Sequence, residues 1–176
     1  FDSGPRAFVN SGIMKPMLKD LEIDWEFLEN TISIGVEDQI FRVESMDSLK
    51  EYEKLLINLY PESADDVKKI IPIMNQLSEY TGVLYEFDNP NFTHLMNDKK
   101  YIFKKLIPWT FKFLNALRKF NQFKMPMEAF MAQLTDNQSL IDILIQHFFR
   151  ETPTYFALGY FYVYFDYFYP KGGTAS

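Results

Sequence analysis

Apolar and polar residues alternate between positions 31 and 44, with the two-residue period of a half-buried strand. Ile32, Ile34 and Val36 are separated by small residues, and the same alternation returns at Phe41 and Val43. The acidic pair at positions 37–38 falls between the two runs. The pattern therefore predicts a β hairpin over residues 31–44.

From residue 47 the apolar residues recur every three or four positions, which is the period of an amphipathic helix. Such stripes run through residues 49–59, 67–84, 102–117 and 140–148. Pro61 ends the first stripe, and Pro72 and Pro108 lie inside the second and third. The spacing therefore predicts a run of helices from residue 47 to about residue 165.

Local signals place three further boundaries in the second half of the chain. Pro126 suits the first turn of a short helix, and Asp136 is the predicted N-cap of the helix that contains residues 140–148. Pro153 opens a last helix that extends to about residue 165, followed by a short strand at residues 166–169. A brief helix is also predicted at residues 15–21.

These elements predict an α+β fold that is mostly helical. A small β sheet is expected from strands near both ends of the chain together with the 31–44 hairpin. No repeat or low-complexity linker divides the sequence, so residues 1–176 form one predicted domain. Its sheet part is residues 1–46 and 166–176, and its helical part is residues 47–165.

Composition and charge exclude several classes of partner and site. The net charge of −6 argues against nucleic acid as a partner, and the absence of cysteine excludes disulfides and thiolate metal sites. His94 and His147 are far apart in the sequence, so no metal is predicted. No apolar run reaches about 18 residues and no signal peptide is visible, which predicts a cytoplasmic protein.

Three stretches occur in a characteristic order: "FDSGP" at residues 1–5, "LTDNQSLIDILIQHFF" at residues 134–149, and "TPTYFALGYFYVYFDYFYPKGG" at residues 152–173. Together they resemble the phytoene desaturase, carotenoid isomerase and retinol saturase family of FAD-dependent oxidoreductases. In that family the first motif leads from the flavin domain into the substrate domain, and the last motif leads back to the flavin. The resemblance covers about forty residues.

The resemblance implies a substrate-binding domain excised from a larger flavoprotein, with FAD held by a cofactor domain outside these 176 residues. The seven glycines contain no G-x-G-x-x-G spacing, so the chain alone is expected neither to bind FAD tightly nor to be catalytic. The implied partners are the flavin domain of the same parent chain and an apolar polyene or isoprenoid-like molecule. The implied reaction is desaturation, saturation or isomerisation, and no catalytic residue is assigned within the chain.

The resemblance places residues from both ends of the chain next to the cofactor. Gly172 and Gly173 lack a Cβ, so a flat ring edge could approach their backbone, and Lys171 could face a reduced, negatively charged flavin. The flavin-proximal residues are Asp2, Gly4, Pro5, Lys171, Gly172 and Gly173. The alternative interpretation of both motifs is an ordinary turn.

The aromatic helix at residues 155–165 has two interpretations. Its rings could line a tunnel for a long apolar substrate, with hydroxyl groups as the few polar contacts, or they could be core residues. The predicted substrate-binding residues are Tyr155, Tyr160, Tyr164 and Phe165. Aromatic rings from Phe103 to Phe123 could form the far end of such a tunnel.

The middle of the chain is both basic and aromatic, as in Phe111, Lys112, Arg118, Lys119 and Lys124. In the family a comparable helical region can rest on a membrane, so a peripheral membrane contact is one expectation. A solvated face between core positions is the other. A rival hypothesis for the whole chain is a self-contained helical binding or protein-interaction module without enzymatic activity.

Overall fold

The computed structural model describes residues 8–9, 14–29, 32–85 and 97–170. The strands within these ranges are β1 (Phe8–Val9), β2 (Phe27–Glu29), β3 (Ile32–Val36), β4 (Gln39–Val43) and β5 (Tyr167–Pro170). The helices are α1 (Met14–Asp20), α2 (Ser48–Leu59), α3 (Ala64–Tyr85), α4 (Lys99–Tyr101), α5 (Ile107–Phe120), α6 (Met127–Met131), α7 (Gln138–Ile145), α8 (Thr154–Gly159) and α9 (Phe161–Tyr164). The fold is α+β and mostly helical, as the pattern predicts.

The 22-residue helix α3 is the centre of the helical part. Its predicted apolar stripe is buried, with Val67, Ile70 and Leu77 fully enclosed, and it packs against α2, α5, α8 and α9. Pro72 lies inside α3 without ending it, although it removes one helical N–H donor. Other fully buried large side chains come from α2, α6, α7, α8 and α9: Leu56, Met127, Met131, Leu140, Leu158 and Phe161.

Side chains form hydrogen bonds with backbone groups at the helix ends that have no partner within the helix. The Trp109 indole N–H donates to the carbonyl of Val83 in the last turn of α3, at 2.8 Å. The side chain of Asn137, rather than Asp136, caps α7 by accepting from the Leu140 N–H at 3.1 Å. Asn137 also donates to the hydroxyl oxygen of Ser63, which fixes it at this position, so the prediction of Asp136 as the cap is wrong.

The strands form two antiparallel sheets. The predicted hairpin forms a sheet of its own, β3-β4, in which Val36 pairs with Gln39 across a two-residue turn. Glu37 has a φ of 54°, the positive value that a type II′ turn places at its first central residue. The second sheet has the order β1-β5-β2 and joins the first and last described strands.

The last helical segment is broken in two. The sequence predicts one helix from Pro153 to about residue 165, but α8 ends at Gly159 and α9 begins at Phe161. A tight turn at Tyr160 separates them, with its carbonyl accepting from the Val163 N–H only three residues on. Because of this break, the aromatic side chains of α8 and α9 contact different neighbours.

Helix α1 ends in a Schellman motif whose left-handed residue is not glycine. Ile23 N–H donates to the Leu18 carbonyl at 2.9 Å and Glu22 N–H to the Lys19 carbonyl at 3.2 Å, with Glu22 at a φ of 55°. A β carbon is strained there, so we expect Glu22→Gly to raise the free energy of unfolding by about 0.5–1 kcal/mol.

Urea denaturation measures this change, with Glu29→Gly as the matched control. Glu29 lies in β2 and is exposed, so the same substitution there should lower the free energy of unfolding by about 0.5–1 kcal/mol. A loss of stability in Glu22→Gly would contradict the strain at this helix end.

Candidate functional site

The first and last described strands lie side by side in the three-stranded sheet. Phe8 pairs with Phe168 and Val9 with Tyr167, in antiparallel register. The first residue of β1 therefore pairs with the second residue of β5, with paired Cα atoms about 5 Å apart. The six predicted flavin-proximal residues, at positions 2, 4, 5 and 171–173, lie outside the described residues.

A hollow of about 230 Å³ lies against this sheet. Phe27 of β2 forms part of its wall and packs edge-on against Phe168 of β5, with ring centroids 4.7 Å apart. Two carboxylates, Glu29 and Asp166, also line it. The remaining lining residues are Leu28, Phe165 and Tyr167. The hollow therefore combines aromatic side chains with two carboxylates, and its exposed lining is more polar than apolar.

A larger groove of about 500 Å³ lies next to the end of α1, and Phe27 lines it as well. Trp25 and Ile23 line it and remain substantially exposed, and the Trp25 ring contacts Phe27 at 5.7 Å. The Schellman turn at Glu22 forms part of the same wall. Phe27 therefore lines both the hollow and the groove.

Tyrosine rings gather where α8, α9 and β5 meet. The Tyr160 ring contacts those of Tyr164 at 5.5 Å and Tyr167 at 6.5 Å, and the hydroxyl groups of Tyr160 and Tyr167 are hydrogen-bonded to each other. The turn at Tyr160 places these residues together, because it lets the chain pass from α9 into β5 within a few residues. Tyr85, at the end of α3, adds a fourth hydroxyl near the cluster. We call these four residues the tyrosine cluster.

Burial raises the pKa of three hydroxyl groups of the tyrosine cluster, which favours their protonated form. It raises the pKa of Tyr164, with a further contribution from Tyr160, and raises the pKa of Tyr167, which also hydrogen-bonds to Tyr160. The pKa of Tyr85 is raised by burial and then by Tyr160 and Asp166. Neutral phenols donate hydrogen bonds and do not act as bases, so the cluster can orient a polar atom of a ligand.

His147 contacts the Tyr164 ring at 5.9 Å from the side of α7. Partial burial lowers its pKa, which favours the neutral imidazole. Behind Tyr164 and His147 lies a cavity of about 20 Å³, enough for one water molecule. A long apolar substrate therefore does not fit on the inner side of Tyr164 in this conformation.

The four predicted substrate-binding residues fall into different environments. Tyr160 and Tyr164 meet in the tyrosine cluster, but Tyr155 packs against Phe120 of α5 at 5.0 Å. Phe165 contacts Tyr162 at 5.1 Å and lines the hollow at the sheet. Phe161 of the same segment is fully buried, so core packing accounts for part of the aromatic segment.

Sequence reasoning missed Tyr85 and Tyr167 as members of the cluster. Tyr160, Tyr164 and Tyr167 follow the i, i+4, i+7 spacing of one helical face, and that spacing could have indicated Tyr167. Tyr85 is distant in the sequence and carries no local signal. On the sequence alone, the aromatic rings between residues 103 and 123 are also candidates for the far end of a tunnel. Phe103 and Phe111 do not fit that interpretation, because their side chains are exposed.

Among the described residues, no group of three or more His, Cys, Asp or Glu side chains could hold a metal ion. No helix in the same part of the chain is long and apolar enough to cross a membrane. Comparisons with protein-family models, with curated proteins and with solved structures give no match to this chain.

Proposed function

We propose that this chain is the substrate-binding domain of a flavin-dependent oxidoreductase that acts on an apolar polyene or isoprenoid-like molecule. The observation that supports the proposal best is the pairing of Phe8 with Phe168 in one sheet. Chain ends that lie close together suit a domain that is inserted into another, and β1 and β5 are neighbours in one sheet. One cofactor domain could therefore contact both the segment that enters the sheet at β1 and the segment that leaves it at β5.

In the proposal, residues next to the sheet contact the flavin and the tyrosine cluster orients the substrate. Residues next to the ends of β1 and β5, in particular Gly172 and Gly173, would approach the flavin, and Lys171 would add positive charge. Of the hydrogen-bonded hydroxyl groups of Tyr160 and Tyr167, the one that does not donate to the other would orient a substrate by donating a hydrogen bond to it. FAD would supply the hydride chemistry, so this chain contributes position and shape.

Aromatic walls and neutral hydroxyl groups suit an apolar, polyene-like substrate. The hollow at the sheet holds Phe27, Phe165 and Phe168 beside Tyr167. Its volume of about 230 Å³ accommodates one end of such a molecule, not its whole length. The proposed substrate therefore enters the hollow with one end and extends over the surface of the domain.

A self-contained interaction module is the second candidate, and one observation favours it. The outer face of α5 carries large apolar side chains in contact with solvent, including Phe111 and Leu114. Exposed apolar surface of this kind commonly marks a binding face. Only the first candidate requires a flavin domain, and the following experiment tests whether these residues approach a flavin.

The test uses the full-length polypeptide that contains this chain, with Gly172→Val and Gly173→Val as separate variants. A branched side chain would collide with a flavin edge at these positions, so we expect flavin occupancy per chain to fall about tenfold at limiting FAD. Absorbance of the bound flavin against protein concentration measures the occupancy.

Gly35→Val is the matched control, because a β carbon at this exposed strand position meets no atom within 4 Å. It should leave flavin occupancy unchanged. The isolated 176-residue chain should show no saturable FAD binding. Unchanged occupancy in both glycine variants, or a stoichiometric flavin complex of the isolated chain, would contradict the proposal.

A further inference from the structure

The groove beside α1 exposes large apolar side chains from one short segment. Trp25 is 42% exposed, Ile23 49% and Leu21 60%. Trp25 and Ile23 line the groove together with Phe27 and the buried Leu18. Exposed tryptophan side chains are frequent anchors in protein interfaces, where Trp, Tyr and Arg carry much of the binding energy. The groove therefore has the apolar part of a docking site.

Carboxylates surround these apolar side chains. Glu22 and Asp24 line the groove, and Lys19 is the basic residue of the lining. Residues 20–29 contain five of the 24 acidic residues and none of the 18 basic ones, and all five carboxylates are exposed. A partner that fits this surface therefore combines large apolar side chains with positive charge. We call the surface formed by residues 18–27 the acidic groove.

The outer face of α5 has both of these properties. Phe111 is 70% exposed and Leu114 55%. At 100° per residue, these two side chains and the exposed Arg118 lie within about 60° of one another around the helix. Residues 99–127 contain eight of the 18 basic residues and none of the 24 acidic ones. We call Phe111, Leu114 and Arg118, with the exposed Lys104 of the π-helical turn before α5, the basic face.

The packing of α5 within the fold uses its opposite side. Ala116 and Phe120 are buried, and the Trp109 indole donates to the Val83 carbonyl of α3. Around the helix, these three residues lie about 140–180° from Phe111. The basic face is therefore available to a partner, and it belongs to a different element from the acidic groove, which lies on α1 and β2.

We propose that the acidic groove of one copy of this chain binds the basic face of a second copy. Phe111 enters the groove beside Trp25, and Arg118 lies near the carboxylates of Glu22 and Asp24. Opposite charges guide the two surfaces together, and burial of the aromatic rings from water stabilises the contact. Because the two surfaces are different, each copy can use its groove and its face at the same time.

A second copy accounts for both surfaces, whereas an anionic bilayer accounts for one. A bilayer would cover the basic face, but its negative surface would repel the carboxylates of the acidic groove. The inference does not rest on the proposed flavin-dependent function, because self-association needs neither cofactor nor substrate. A monomeric protein would leave that function unaffected, and the absence of a flavin domain would leave the self-association unaffected.

Sedimentation velocity of the full-length polypeptide that contains this chain, over a range of protein concentrations, tests the proposal. We expect reversible association that weakens as salt is added. Glu22→Lys with Asp24→Lys should weaken it about tenfold or more, because positive charge then faces positive charge. The control, Glu37→Lys with Asp38→Lys, reverses an exposed acidic pair in the hairpin turn, and Glu37 shares the positive φ of Glu22. It should leave the association unchanged.

A charge swap tests whether the two surfaces are partners. Lys104→Glu with Arg118→Glu should also weaken the association about tenfold or more, whereas Lys50→Glu with Lys54→Glu on α2 should not. A quadruple variant that carries the groove and face reversals together pairs a positive groove with a negative face, so it should associate again. The two sets of reversals cancel, and this variant keeps the net charge of −6.

The apolar part of the contact is measured separately. Phe111→Ser should weaken the association about tenfold, and Phe149→Ser, which removes an 89% exposed ring elsewhere, is its control. Circular dichroism checks that each variant is folded. The proposal is overturned if the original protein stays monomeric at low salt, or if the quadruple variant associates no more strongly than the two double variants. A monomer that binds phosphatidylglycerol vesicles would also overturn it and would identify a bilayer as the partner of the basic face.

Discussion

Gly159→Ala is expected to lower the free energy of unfolding by about 3 kcal/mol. A β carbon at this position would lie 2.3 Å from Thr81 Oγ1 and 3.1 Å from the Leu77 carbonyl oxygen. Both atoms belong to α3, so α8 and α3 would have to move apart at the centre of the fold. Overpacking of this kind costs about 1–3 kcal/mol, and contact with a backbone atom places this site at the upper end.

Denaturant unfolding of Gly159→Ala measures the loss, and two further variants test its cause. Gly35→Ala has open space for the β carbon and should be neutral or slightly stabilising. Thr81→Ala removes the nearest atom, so Gly159→Ala should cost less in that background than in the original chain. If Gly159→Ala costs below about 0.5 kcal/mol, the close approach of α8 to α3 is wrong.

The second large effect is a loss of stability in alkaline solution. Burial raises the pKa of Tyr52, which packs between Phe41 and Phe161, and of Tyr164, which belongs to the tyrosine cluster. The ordinary tyrosine pKa is 10.0. Above that pH the unfolded chain releases these two protons and the folded chain keeps them. The stability is therefore complete below pH 10 and lost as the pH rises above it.

Tyr52 and Tyr164 each contribute about 1.4 kcal/mol per pH unit above pH 10, and Tyr167 and Tyr85, whose pKa values burial also raises, add to the same slope. Urea denaturation at a series of pH values measures the slope. Tyr52→Phe and Tyr164→Phe should each reduce the slope by about 1.4 kcal/mol per pH unit, and measurements of the same variants at pH 7 provide the baseline. A slope that neither substitution alters would show that neither hydroxyl is buried as described.

Elements with a strong local pattern could be predicted from the sequence. The buried stripes of α2, α3 and α7 and the alternation of β3 and β4 follow directly from residue spacing. Each of these elements buries one face against the core, so the period alone indicates the structure. The pairing of β1 with β5 fits the expectation of a sheet that contains strands from both ends.

The features that depend on tertiary contacts could not be predicted. The turn at Tyr160 accompanies the close packing of Gly159 on α3, and the choice of Asn137 as a cap accompanies its contact with Ser63. The tyrosine cluster needs Tyr85 from a helix seventy-five residues earlier than Tyr160. In α5 both faces carry apolar residues, so spacing alone could not separate buried Phe120 from exposed Phe111 and Leu114.

The sequence encoded on both sides of these 176 residues tests the central claim most directly. Sequencing the complete transcript gives it without any assumption about the fold. The proposed role predicts a strand, a G-x-G-x-x-G turn and a helix in the same reading frame before Phe1, as a dinucleotide-binding unit requires. A reading frame with no such unit on either side would contradict a flavin domain in the same chain.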